Sequence, residues 1–552
     1  MKLRRIILSA AAVVSAAAVF LSGCTAPGTQ DNMNDSTEEK LPEYKYQQEL
    51  NMIDDNYRNY YQIFVYSFCD SNGDGIGDLN GVASKLDYIQ EMGFNGIWLT
   101  PIMPSSSYHK YSVKDYLAVD PQYGTMEDFE NLAAECRKRG IKLLIDLVMN
   151  HSSKEHEWFL HAAESLRADP CGAAEDEPCL NGNVCPTHDP YIGYYYFHDE
   201  KPAGSNTCYQ TGSHWYEAVF SENMPELQLD NPAVRAEFEN IAKFWLDKGA
   251  GGFRLDAVKE YFSGNPDKNI EVLKWFVDYC KSLDPECYIV GEVWESFTSY
   301  TKYYQSGIDS VFGFTMAEED GKIAKTINMS GSTNSVRSFA QAMTTVEEKL
   351  ASYSDTAIDA PFIGNHDTNR AAGIFSYDPV KIKAAAGLLL TMSGSPFVYY
   401  GDEIGLTGSG RDENKRAPMI WDADGIGQTY GPPNMEPQEN RFADVQSQLS
   451  DPDSILNYYK RALRIRNENP CIARGTTEVL SIQGQDMAAV RRTWNGSGVI
   501  IVYNYSDEER TIEDFPGGEL RGYLTASASQ EVTADGALKM PPYSIAILSD
   551  CR

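Results

Sequence analysis

Beyond its first two dozen residues this chain has no apolar run long enough to cross a bilayer, which argues against a multi-span membrane protein. It is also short of positive charge: 47 Lys and Arg stand against 79 Asp and Glu, a net charge of −32. A phosphate surface repels so acidic a chain, so no nucleic-acid partner is expected. No CxxC pair is present, which counts against a zinc site. No Gly-rich phosphate fingerprint follows the first predicted strand, and this disfavours a doubly wound nucleotide-binding sheet.

What is present is the composition of a folded, soluble protein, 42% hydrophobic and 23% charged over 552 residues, long enough for two or three domains. Lys2, Arg4 and Arg5 precede an apolar run that ends in Leu21-Ser22-Gly23-Cys24. This resembles a bacterial lipobox: residues 1–23 read as a signal peptide, Cys24 as the lipidated mature N-terminus and 24–55 as a polar tether. The expected location is the cell surface, anchored to the bacterial membrane. Ten cysteines remain after Cys24. Cys171, Cys179, Cys185 and Cys208 crowd one stretch, Cys280 and Cys287 lie close together, and Cys471 and Cys551 bracket the last domain. Export makes disulfides the expected use of these residues, with zinc as the rival for the first cluster.

From about residue 60 one pattern repeats: short apolar strand, loop, amphipathic helix, Gly, strand. Strands are predicted at 62–68, 96–100, 142–149, 252–256, 288–292, 310–314, 361–365 and 396–400. Helical spacing joins Leu79, Val82, Leu86, Ile89 and Met92. A further helix covers 126–139, capped by Thr125 and stopped by Gly140. Eight strands alternating with helices predict an α/β fold, a (β/α)8 TIM barrel formed by residues 56–151 and 223–470. A small inserted domain, 152–222, follows the third strand, because the connection is too long for a simple loop. Short β-like runs at 478–482, 498–505 and 544–548 predict a C-terminal antiparallel β-sandwich over 471–552.

Polar residues recur at the C-terminal ends of the predicted strands, where barrel enzymes carry their chemistry. Asp146 and His151 close the third, Arg254 and Asp256 the fourth, Glu292 the fifth, and His366 with Asp367 the seventh. Glycoside cleavage needs one carboxyl to protonate the leaving oxygen and another to meet the oxocarbenium-like carbon. Arg254 lies two residues before Asp256, so both face the same side of a strand, and a guanidinium there favours an ionised Asp256.

The segments 146–151 (DLVMNH), 252–260 (GFRLDAVKE), 291–294 (GEVW) and 362–367 (FIGNHD) resemble, in order, the four signature regions of the α-amylase family of glycoside hydrolases. Residues 224–229 (MPELQL) and 394–405 (GSPFVYYGDEIG) resemble two further family motifs. The resemblance implies that Asp256 is the nucleophile, Glu292 the general acid/base and Asp367 a transition-state stabiliser. It further implies that Arg254 orients Asp256, that His151 and His366 bond the sugar being cleaved, and that His109 and Tyr111 line the subsite before the scissile bond. Asp146 is then a structural partner of Arg254.

Asp70-Ser71-Asn72-Gly73-Asp74-Gly75-Ile76-Gly77-Asp78 repeats oxygen ligands at alternate positions, like the first half of an EF-hand loop. It departs where Gly81 replaces the bidentate Glu. Similar loops in relatives of the family imply a structural Ca2+ held by Asp70, Asn72, Asp74, the Ile76 carbonyl and Asp78. Among family members, Lys259 after the nucleophile is similar to α-amylases that grip the sugar beyond the cleavage point. Ser112 stands where exo-acting α-glucosidases usually carry Asp. The expected substrate is therefore a starch-like α-glucan or maltooligosaccharide, cleaved internally. An α-glucosidase or neopullulanase-like activity is the rival, and a non-catalytic glucan-binding lipoprotein is the reading from another class. Nothing implies a protein partner.

Overall fold

A computed structural model describes residues 53–550, apart from residue 183, residues 330–334 and residue 485. The predicted leader, Cys24, most of the tether, and Cys551 lie outside the described residues.

Seven parallel strands curl in the order β10-β1-β2-β3-β7-β8-β9. They are β1 (Tyr60–Ile63), β2 (Gly96–Leu99), β3 (Lys142–Leu147), then β7 (Gly252–Leu255), β8 (Tyr288–Gly291), β9 (Ser310–Val311) and β10 (Phe397–Tyr399). Between β3 and β7 lie β4 (Phe197–His198), β5 (Cys208–Thr211) and β6 (His214–Glu217). The strand expected at 361–365 is reduced to two parallel bridges, Ala360 to Phe312 and Phe362 to Phe397. Those bridges span the gap between β9 and β10, so the sheet closes into the (β/α)8 barrel. The run expected as a strand over 62–68 ends at Ile63 and turns into a 3-10 helix, Val65–Ser67, because the chain must leave the barrel rim there.

Aromatic rings fill the barrel's lower interior. Tyr60 stacks on Tyr288 at 5.1 Å and on Phe397 at 4.6 Å, with Trp98, Leu144, Val290 and Phe362 around them. Close packing demands glycine at two strand positions: a Cβ on Gly96 would lie 2.4 Å from the Tyr60 ring, and one on Gly252 1.9 Å from the Tyr288 backbone carbonyl. Outside, the helices bury their apolar stripes on the sheet. Met126–Lys138 illustrates the logic: Thr125 and Asp128 form a capping box, and Phe129, Leu132, Ala133 and Cys136 face inward. The helix expected from Leu79 to Met92 is two, Leu79–Ser84 and Leu86–Met92, which break at Lys85.

The long connection after β3 carries a helix, Glu157–Ser165, and the antiparallel sheet β4-β6-β5. After the helix Ile455–Glu468 come two antiparallel sheets. The first contains β11 (Thr476–Leu480), β12 (Met487–Trp494), β13 (Ser497–Asn504), β15 (Leu520–Leu524) and β18 (Ser544–Ser549); the second contains β14 (Arg510–Ile512), β16 (Thr533–Asp535) and β17 (Ala537–Met540). Ala489, Val502 and Leu548 of one meet Ile512, Leu538 and Met540 of the other in a common core, as a sandwich requires.

Candidate active site

Strand register builds the site. Asp146 on β3 pairs directly with Arg254 on β7, so their side chains leave the same face of the sheet side by side. Leu255 pairs with Gly291 on β8, and the ladder continues as the Glu292 N–H donates to the Leu255 carbonyl at 3.0 Å. Asp256 and Glu292 therefore stand at one height, each just past the end of one of two neighbouring strands.

The Arg254 guanidinium, fully buried, is the hub. Its Nη1 lies 2.8 Å from Asp146 Oδ1 and 2.7 Å from Asp256 Oδ1, and its Nη2 lies 2.7 Å from Glu292 Oε2. Asp146 is held further by donors from Tyr111 Oη at 3.0 Å and Trp98 Nε1 at 3.2 Å. Every oxygen of Asp146 thus faces protein, and it does not line the cleft. The Ala257 N–H donates to Glu292 Oε2 at 3.2 Å.

Across the cleft, Asp367 Oδ2 lies 3.0 Å from His366 Nε2, and Asp367 Oδ1 accepts from Arg416 Nη2 at 2.8 Å. His366 itself is wholly buried, sits 2.6 Å from Tyr111 Oη and stacks on the Tyr111 ring. It reaches the cleft through Asp367 and Tyr111 and does not line it. His151 does line the cleft, and its Nε2 is buried without a hydrogen-bond partner, a ready site for a sugar hydroxyl.

Electrostatics separates the three acids. Burial raises Asp256 and Glu292 above ordinary carboxyl values; Arg254 opposes this in both, and the Asp256 charge raises Glu292 further. Burial alone would raise Asp367 too, but the His366 ring and then the Arg416 guanidinium more than offset it and hold that carboxyl well below the usual range. Burial lowers His151 to about 4, so it is neutral at pH 7. Of the two raised carboxyls, Glu292 is the one that the charge of its neighbour, Asp256, biases further toward its protonated form, as acid-assisted displacement needs.

These groups open onto a cleft of about 910 Å³, lined also by His109, Tyr111, Ser112 and Lys259. Sequence reasoning missed Arg416, which follows the short helix Asp412–Lys415 and carries no periodic signal. It also passed over Phe220 and Trp294 as platforms, both on the cleft wall and roughly half exposed. The inserted-domain aromatics Trp158, Tyr194, Tyr195, Tyr196 and Trp215 do not line the cleft.

The acidic loop after β1 stands apart. Asp70 accepts from the N–H groups of Asn72, Gly73 and Gly75, Asn72 from that of Asp74, and Asp74 from that of Ile76. The oxygens of Asp70, Asn72 and Asp74 thus sit on one tight turn. Asp78 accepts from Ser71 at the start of the same loop and caps the helix Leu79–Ser84 through the Gly81 N–H. The oxygen-only donor set suits a hard cation, which Asp70, Asn72, Asp74, the Ile76 carbonyl and Asp78 would hold. The Tyr430 N–H donates to the Gly75 carbonyl at 2.8 Å, tying the loop to a distant segment.

Comparison with known proteins agrees with this geometry. Residues 62–475 match the family model described as alpha amylase, catalytic domain. Alpha-amylase 3 of Dictyoglomus thermophilum is 37% identical, over 82% of this chain and 86% of the relative. A glucan 1,6-alpha-glucosidase of Streptococcus pneumoniae is 30% identical, over 82% and 91%. The solved structure of Eubacterium rectale Amy13B superposes with a TM-score of 0.84 at 39% identity, covering 91% of this chain and 97% of that one. With the motifs in order, the barrel closed and the three acids at its mouth, this chain is a glycoside hydrolase and belongs to the α-amylase family.

Proposed function

We propose that this enzyme hydrolyses internal α-1,4-glucosidic bonds of starch-like glucans and maltooligosaccharides with retention of configuration. The observation that carries the reading is the single guanidinium of Arg254 within 2.7 Å of both Asp256 and Glu292. Protonated Glu292 gives its proton to the glycosidic oxygen as the bond breaks. Asp256 attacks the anomeric carbon and forms a glycosyl ester. Water, deprotonated by Glu292, then cleaves that ester and restores both groups. Asp367, kept ionised by Arg416, accepts hydrogen bonds from hydroxyls of the distorted ring.

Ser112 in the cleft wall supports internal cleavage, since it offers no carboxylate to seize a chain end, and Lys259 on the same wall can grip sugars beyond the scissile bond. The rival, an exo-acting α-glucosidase or a neopullulanase-like activity, is favoured by the likeness to a glucan 1,6-alpha-glucosidase. A product time course on amylose, maltooligosaccharides, pullulan and isomaltose tests the choice. Mixed oligosaccharides are expected early from amylose, and none from isomaltose. Glucose alone from chain ends, or brisk isomaltose cleavage, would overturn internal α-1,4 action, and absence of new reducing ends would reduce the protein to a glucan binder.

A Ca2+ in the 70–78 loop is part of this proposal, as a brace and not as a reactant. EGTA is expected to lower the melting temperature by several degrees while initial rates at 25 °C change less than about twofold, since a bound ligand stabilises by mass action. The Asp74→Ala variant should show the low melting temperature without chelator; an EGTA-insensitive wild type removes the ion. Export and anchoring through a lipid on Cys24 complete the reading. Retention of a Cys24→Ala variant in the membrane fraction would refute the anchor.

A further inference from the structure

The inserted domain contains a long stretch with almost nothing to hold it. Between the helix Glu157–Ser165 and the 3-10 helix Pro190–Tyr194, the only side chains buried among the described residues are Cys185 and Asp189, and Leu180 is 73% exposed. A segment of that length cannot be fixed by apolar burial it does not have.

What the segment has is a convergence of soft ligands. One ligand atom each from Cys171, Cys179, Cys185 and His188 lies within 4.8 Å of the others. The Cys179 and Cys185 sulfurs are 3.5 Å apart, and His188 Nδ1 is 3.1 Å from the Cys185 sulfur and 3.4 Å from that of Cys171. A tetrahedral ion with Zn–S of about 2.3 Å and Zn–N of about 2.0–2.1 Å sets ligand-to-ligand distances of roughly 3.5–3.8 Å. A disulfide needs about 2.05 Å. The expectation of bridges in this cluster is therefore not met, and Cys208, the fourth cysteine of the crowd, lies apart on β5.

The histidine carries a second, independent indication. Its Nε2 lies 2.8 Å from the Ala174 carbonyl. Donation there leaves the proton on Nε2 and the Nδ1 lone pair free to face the Cys185 and Cys171 sulfurs, the arrangement by which proteins orient a metal-binding imidazole.

We propose that Cys171, Cys179, Cys185 and His188 bind one structural Zn2+ that serves as the core of this loop. Three thiolates and an imidazole form a closed tetrahedral set, with no position left for water, so the ion folds the segment and takes no part in hydrolysis. None of the four lines the catalytic cleft. The other cluster among the described residues, His198, Cys208 and Glu217, offers only three donors, two of them already bonded to each other at 2.7 Å. One zinc per chain is thus expected.

Elemental analysis of the untagged full-length protein, produced with zinc and purified without chelator, should find one zinc per chain, and none in Cys185→Ser or His188→Ala. Replacing Zn2+ by Co2+ should give the intense thiolate-to-cobalt charge-transfer absorption of a sulfur-rich site. Limited proteolysis should cut within 166–189 at least tenfold faster once zinc is stripped, while hydrolysis of short maltooligosaccharides changes less than twofold. Wild-type protein that holds no zinc after incubation with Zn2+ under reducing conditions overturns the site. So does peptide mapping that finds two of the three cysteines joined as a disulfide. The wild-type readouts stand even if a variant fails to fold.

Discussion

The Asp256→Ala variant is expected to lose roughly 10⁴-fold or more in kcat on maltooligosaccharides while keeping its melting temperature within a few degrees. Asp256 is the only one of the three Arg254-bound carboxylates that both faces the cleft and lacks the Ala257 N–H contact that turns Glu292. The acid it leaves behind cannot replace it, because Glu292 follows β8 and serves the leaving oxygen from the end of the neighbouring strand. Glu292→Gln keeps the shape and removes the proton, and should cost several orders of magnitude on natural glucans. Its loss should be smaller on substrates whose leaving group needs no protonation. Added azide separates the two roles. It should restore turnover of an activated glucoside with opposite anomeric outcomes in the two variants, because it attacks the sugar in one and the glycosyl-enzyme in the other. Near-normal rates in either variant would end the two-carboxylate mechanism.

Arg254→Leu is expected to be the most damaging change to the fold. It leaves Asp146, Asp256 and Glu292 buried together with no cation among them. Stranding buried charge in this way costs about 3–5 kcal/mol. The loss has a definite pH sign. Burial already raises all three carboxyls above their unfolded values, Asp146 to about 8, and removing Arg254 raises them further. Groups with raised folded values bind protons more tightly in the native state, so the penalty grows as pH rises and shrinks as they become protonated. Urea unfolding should therefore show a larger deficit at pH 8 than at pH 5; an equal deficit at both would mean that lost packing, not charge, is the cause. In the wild type the same shifts predict a bell-shaped profile of kcat/KM. Its acid limb, from Asp256, and its alkaline limb, from Glu292, should both lie above the values of free carboxyls.

Much of this site was legible in one dimension because a barrel strand converts sequence into direction. Residues 254 and 256 must share a face, and the last residues of each strand must reach the same rim. Asp146, Arg254, Asp256, Glu292 and Asp367 could be named for that reason. The repeat of strand, helix and Gly carried the fold for the same cause, since helical period 3.6 and strand spacing survive in the letters. Arg416 could not be named, since the loop that presents it has no period and its partner, Asp367, is 49 residues away. The strand expected at 361–365 is only two bridges, because the extent of pairing that closes the barrel is set by curvature and not by composition.

The cysteines show the boundary most sharply. Their number, their crowding and the missing CxxC pair pointed to disulfides, and a histidine three residues after Cys185 carried no weight as a string of letters. Only the folded loop brings the four side-chain atoms within 4.8 Å of one another. Local pattern dictates which way a residue faces along its own strand or helix; which residues meet across loops depends on the path of the whole chain, and that the sequence does not spell out.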